Sequence, residues 1–339
     1  MSARLIQLKR EAVRRVALVE EPKLRLLDPE VSSIYDLVRA SIAEKMDLSR
    51  SAMKRATKEQ LDYDPIYLGN SDWKIMPAID HPEPSRCSVS GTGLTHLGSA
   101  RDRQAMHATP PAAAELEQLT DSMKMFRSGL AGGRPEPGYI GTSPEWFYKG
   151  TGSGLRAHGE ALFVPSYAED GGEEAEIAGI YFNDQQGQPR RIGMTIGNEF
   201  SDHCFEKTNY LNLASSKLRT CSIGPELVIE PAFHSVEGEV TIERAGRPLW
   251  RKSLRTGEAE MCHSLQNIEH HHFKHEAHRQ PGDIHVHFFG ADCLSFGEGV
   301  RLADGDFMQI AFEGFGRPLR NRVSSNKNDP TLISVVSMR

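Results

Sequence analysis

The sequence contains no run of about eighteen apolar residues, so it offers no candidate membrane-spanning helix. It has no Lys/Arg block either. Its 40 basic and 46 acidic residues leave a formal net charge of −6, which excludes nucleic acid and anionic membrane surfaces as the expected main partners. Cysteine is scarce. Cys87, Cys204, Cys221, Cys262 and Cys293 are odd in number and show no CxxC spacing, which suits reduced thiols rather than a disulfide framework or a zinc knuckle. The segment MSARLIQLKREAVRRVALVEE lacks the continuous apolar core of a secretory signal, so the expected location is cytoplasmic. Internal repeats and low-complexity tracts are also missing.

What the chain does have is periodicity. In VSSIYDLVRASIAEKM, Ile34, Leu37, Val38 and Ile42 recur at helical spacing, and the region 31–60 reads as helical. A proline-rich connector follows, and CSVSGTGLTHLGSARDRQAMH then reads as a strand, a glycine turn and a helix start. PPAAAELEQLTDSMKMF predicts a further helix with Leu116, Leu119 and Met123 on one stripe. From about residue 145 the pattern changes to short strands. EALFVPS, AEIAGIYF, RRIGMTIGNEF, PELVIEPAF, EVTIERAGRPLW and DIHVHFFGAD are the candidates, with RAGR as a hairpin turn. The expected class is α+β, with a β-rich catalytic domain over 106–339 and a smaller N-terminal α/β domain over 1–105 that includes a lid segment.

Within EEAEIAG, Glu174 and Glu176 are two apart at the start of a candidate strand, and such residues point to one face. Glu199 follows another candidate strand. If the two strands are neighbours, three carboxylates converge, and an all-oxygen set selects Mg²⁺ or Mn²⁺ rather than zinc. The plainer reading is a solvated acidic strand edge.

EEAEIAGIYF, GMTIGNEFSD and SSKLRTCSIGPELVI, in this order and spacing, resemble the core of the fumarylacetoacetate hydrolase superfamily. The resemblance covers roughly residues 86–323 and extends to the closing segment GADCLSFGEGVRLADGDFMQIAFEGFGRPLRNRV. It implies a mixed β-sheet roll, a homodimer, metal ligands Glu174, Glu176 and Glu199, and an active-site lysine at Lys217. At Ala291 this chain departs from a threonine that contacts the substrate carboxylate in many members. Ser99 and Asp102 occupy the positions of the His and Glu that serve the hydrolases.

By contrast, GLTHLGSARDR, SPEWFYKG and GNEFSDHCFEKTNYLNLASSK are similar to segments of the branch that dehydrates 2-keto-3-deoxy sugar acids. The resemblance therefore implies a hydro-lyase converting a substrate such as 2-keto-3-deoxypentonate into 2,5-dioxopentanoate. The alternative is C–C hydrolysis of an acylpyruvate-like diketo acid. Lys217 is the first candidate for proton transfer, since a desolvated lysine beside a cation can have a lowered pKa. If it stays charged, Glu145 or a metal-bound water becomes the base. Lys149 and Thr151 are candidates for binding carboxylate or hydroxyl groups, and Thr95, His96, Ser99 and Arg103 for lining the substrate mouth.

Two other features have weaker functional readings. His271, His275 and His278 in EHHHFKHEAH would share one helix face as a transition-metal site, against a plain polar face. GTGLTHLGSA could cradle a phosphate, but it lacks the Gly-Lys-Ser/Thr ending.

Overall fold

A computed structural model describes residues 2–107, 120–325 and 330–338. Two sheets dominate it. The larger has thirteen strands, and its main path runs Ala56–Asp62, Lys23–Leu27, Val13–Glu20, Arg4–Arg10, Leu227–Val228, Pro189–Asn198, Ala175–Asn183, Ile284–Phe288, Cys87–Gly93, Glu145–Thr151. The smaller has five, in the order Arg247–Thr256, Val236–Arg244, Phe307–Phe312, Leu319–Ser325, Ala161–Val164.

Strand Ala175–Asn183 shows why the large sheet lies where it does. All nine of its residues are buried, as a near-continuous apolar run requires of a strand covered on both faces. Ala178, Ile180 and Phe182 enter one core with Ile34, Leu37 and Val38 of helix Ile34–Ala43. Ala175, Ile177 and Tyr181 enter another core, with Val240, Ile310 and Leu319 of the small sheet.

Most predicted strands are present, often shorter than read. RAGR is a two-residue hairpin turn in which Ala245 (φ 51°) and Gly246 (φ 74°) are both left-handed, the backbone that matches strand twist. PELVIEPAF contributes only Leu227–Val228, because Pro225 and Pro231 lack the N–H that would extend the ladder. The helical expectation for 31–60 is corrected beyond residue 54. Helices Ile34–Ala43 and Leu48–Lys54 form, but Ala56–Asp62 pairs with Lys23–Leu27 as a strand. Residues 4–27, which carried no strand expectation, form a three-stranded meander.

The strand-turn-helix reading near residue 90 matches strand Cys87–Gly93 and helix Leu97–His107. That strand pairs with Ile284–Phe288 and Glu145–Thr151, so the large sheet crosses the division expected at residue 105. A helix spans Asp121–Gly132, capped by Thr120. Leu116 and Leu119 lie outside the described residues. All five cysteines are free thiols, four of them buried. Among the described residues, no helix is long and apolar enough to cross a membrane.

Candidate active site

Register brings the three carboxylates together. In the antiparallel pair Ala175–Asn183 and Pro189–Asn198, Ala175 faces Asn198, and the Glu199 N–H donates to the Glu174 carbonyl at 3.0 Å. Glu174 and Glu199 thus meet across the strand ends, and Glu176 shares Glu174's face. One ligand atom from each of the three lies within 4.8 Å of the others, and all three residues are buried. The solvated-edge reading is thereby overturned.

Cations surround this cluster unevenly. The Lys217 ammonium donates to Glu174 Oε1 and Glu199 Oε2, with the Phe147 ring centroid 4.8 Å from Nζ. Lys149 Nζ is 2.6 Å from Glu199 Oε1 and 2.5 Å from the Phe200 carbonyl. His203 Nε2 reaches Glu174 Oε1 at 3.1 Å. Among the described residues, Glu176 receives only the Gly290 N–H, at 2.7 Å. Burial and the charges of Glu174 and Glu199 therefore hold its carboxyl well above the usual range. Burial would also raise Glu174, but Lys217 and His203 pull it well below the usual range. A divalent cation would relieve the Glu176 imbalance, so the donor set and the charge of the cluster fit a hard metal.

The expected lowering of the Lys217 pKa is corrected here. Burial acts in that direction, but contact with Glu174 and Glu199 outweighs it and keeps Lys217 an ammonium. The lysine pushed down is Lys149, by its burial and the nearby Lys217 charge.

One strand forms the wall beside the cluster. Glu145, Phe147 and Lys149 alternate inward along Glu145–Thr151, while Trp146 and Tyr148 face outward. Glu145 accepts from Arg103 Nη1 at 2.9 Å and from the Tyr210 hydroxyl. Arg103 is 3% exposed and also contacts Glu206 Oε1 through Nε at 3.3 Å. Arg103 is therefore not a free fork for substrate, which corrects that expectation: its charge is engaged by two buried carboxylates.

The remaining mouth candidates have inward partners. His96 is buried between Thr95 Oγ1 (2.8 Å) and Thr256 Oγ1 (3.1 Å), and burial pushes its pKa down to about 4. Thr95 donates to the Phe289 carbonyl at 2.7 Å, and Ser99 to the His96 carbonyl at 3.2 Å. Thr151 pairs with Ser153 on the exposed side of the wall strand. Ala291 is buried against Leu294 and Phe296.

The histidine expectation is also corrected. Helix Leu265–Phe273 ends before His275, so His271, His275 and His278 do not share a helix face. His272 instead donates to His285 Nδ1 (2.9 Å) and accepts from Trp146 Nε1 (3.1 Å). Among the described residues, the only cluster with metal-site geometry is the glutamate triad.

Sequence reasoning missed Phe147, His203, Glu206 and Tyr210. The last three lie in a quoted segment, but their partners are 29 to 103 residues away in the chain and no spacing rule links them.

The two-sheet architecture with an acidic pair on one strand, a third carboxylate on the next and a buried lysine is a fold of the fumarylacetoacetate hydrolase type. No protein-family profile matches the chain. It is similar to the 2-dehydro-3-deoxy-D-arabinonate dehydratase of Saccharolobus solfataricus, with 32% identity over 123 residues. That match spans 35% of this chain and 40% of the relative. Among solved structures, a 2-keto-3-deoxyarabinonate dehydratase superposes with TM-score 0.71 at 20% identity, covering 96% of this chain and all of the other. A second structure of such a dehydratase, complexed with magnesium and 2,5-dioxopentanoate, gives 0.70 at 19% identity, with the same coverage. A 2-hydroxyhepta-2,4-diene-1,7-dioate isomerase from Mycobacterium marinum gives 0.57 at 15%, again covering 96% and 100%.

Proposed function

We propose that this protein is a metal-dependent hydro-lyase that removes water from a 2-keto-3-deoxy sugar acid such as 2-keto-3-deoxypentonate, giving 2,5-dioxopentanoate. The observation that carries this reading is the buried triad Glu174, Glu176 and Glu199 facing a wall of Glu145 and Lys149. The dehydratase relative supports the substrate class. When bound by the triad, Mg²⁺ or Mn²⁺ supplies a Lewis acid for the 2-keto group.

The chain's own groups divide the remaining work. Glu145 removes a C3 proton: the C3–H bond breaks, an O–H bond forms on the carboxylate, and the electron pair passes into the enolate. The Lys217 ammonium stabilises that developing negative charge. As the C4–O bond breaks, Glu145 returns its proton to the departing hydroxyl, so one water leaves and 5-hydroxy-2-oxopent-3-enoate forms; loss of a C5 proton then gives the dienol, which gives up its two hydroxyl protons and is protonated at C3 and C4 to yield 2,5-dioxopentanoate. Lys149, 2.6 Å from Glu199 Oε1, holds that ligand in place. Dimerisation and a cytoplasmic location belong to the same reading, and sedimentation velocity tests the first.

The deciding experiment is turnover of D- and L-2-keto-3-deoxypentonates, the deoxyhexonates and an acylpyruvate, with Mg²⁺ and then with EDTA. EDTA-sensitive water loss from a keto-deoxy acid is the expected result. Cleavage of the acylpyruvate alone would replace this reading with C–C hydrolysis.

A further inference from the structure

The wall strand ends in a carboxylate gripped from two sides. Helix Leu97–His107 supplies Arg103 to Glu145 Oε1, and the turn Tyr210–Asn212 supplies the Tyr210 hydroxyl to Oε2. Across the strand pair Glu145 faces Gly93, where a Cβ would lie 1.9 Å from Oε1. The glycine creates the room in which the clamp closes. Glu145 is 5% exposed, while the ring that holds it is half-buried.

We propose that Tyr210 is a positioning residue for the dehydration: with Arg103 it fixes the orientation of the Glu145 carboxylate. This inference rests on the dehydratase reading. Each carboxylate oxygen keeps a second lone pair after accepting one donor, so the clamp orients Glu145 without occupying its capacity to take the C3 proton.

The charged groups facing Glu145 are Arg103 from helix Leu97–His107 and Tyr210 from the turn. Glu206, from helix His203–Thr208, is held on the far side of Arg103, where the charges of Glu174 and Lys217 are also felt. Arg103 and the phenol each hold one carboxylate oxygen, and Glu206 is itself drawn to Arg103. Removing the phenol donor therefore releases Oε2 from its fixed orientation.

The experiment compares kcat and KM for wild type and Y210F on 2-keto-3-deoxypentonate with Mg²⁺, alongside thermal melts. In Y210F we expect kcat to fall about tenfold with KM within about twofold. 3-Fluorotyrosine at position 210 keeps the ring and the donor, so it should hold kcat near the wild-type value, and it serves if Y210F does not fold. An unchanged kcat in Y210F, or a loss appearing only in KM, would overturn the proposal. Wild type inert on every keto-deoxy acid would instead overturn the dehydratase reading. In that case the ¹³C chemical shift of the Glu145 carboxyl, assigned with E145Q, decides the clamp: it should change in Y210F as the phenol hydrogen bond is lost, and coincident shifts refute it.

Discussion

Glu174 shares Lys217 with Glu199 and is the triad member that His203 holds, so its substitution disturbs a ligand and two cationic partners at once. Glu174→Gln removes a negative donor and leaves Lys217 and His203 facing a neutral amide, so Mn²⁺ affinity measured by calorimetry should fall by about 100-fold or more. His203→Ala removes only the group that orients Glu174, and the expected loss is about 10- to 100-fold. Equal, wild-type affinities in both variants would remove the triad from metal binding. The triad was legible in the sequence because strand alternation is a local rule that puts Glu174 and Glu176 on one face. The states of Lys217 and Arg103 were not, since each depends on carboxylates 18 to 103 residues away.

At the level of elements, the apolar run 177–182 announced a strand whatever its neighbours, whereas RLIQLKR and VRRVALVE mix charge with apolar residues and gave no clean period. Their strand state comes from pairing with each other and, for the first, with Leu227–Val228. Prolines shortened one predicted strand, and a distant partner converted polar Ala56–Asp62 into another. The doubly covered strand yields a stability prediction. Ile180→Ala should lower unfolding free energy by about 2–5 kcal/mol in urea titration, because its site is walled by two layers and cannot collapse. Gly93→Ala acts on the wall instead: displacing Glu145 by about 1 Å should cost about 100-fold in kcat with a small change in Tm. Unchanged kcat would mean that Glu145 has no part in the reaction.

For the whole molecule, the interior histidines predict acid sensitivity. Burial, joined by the charges of neighbouring histidines, pushes His285 and His287 down to about 3, and burial alone takes His96 to about 4. The unfolded chain binds these protons near 6.5 and the folded one refuses them. Stability is therefore complete above about pH 6.5 and is lost progressively as pH falls toward 3–4. At pH 5 the loss should be about 2 kcal/mol per buried histidine, read as a lower Tm than at pH 7.5; equal Tm values would refute it. The sheet has a further consequence for how the chain is made. Strand Arg4–Arg10 is synthesised well before Leu227–Val228, yet one of its edges is completed only by that later strand. Until Leu227–Val228 has been made, the nascent meander presents an open, apolar strand edge that other chains can capture, which makes translation speed and chaperone supply determinants of yield.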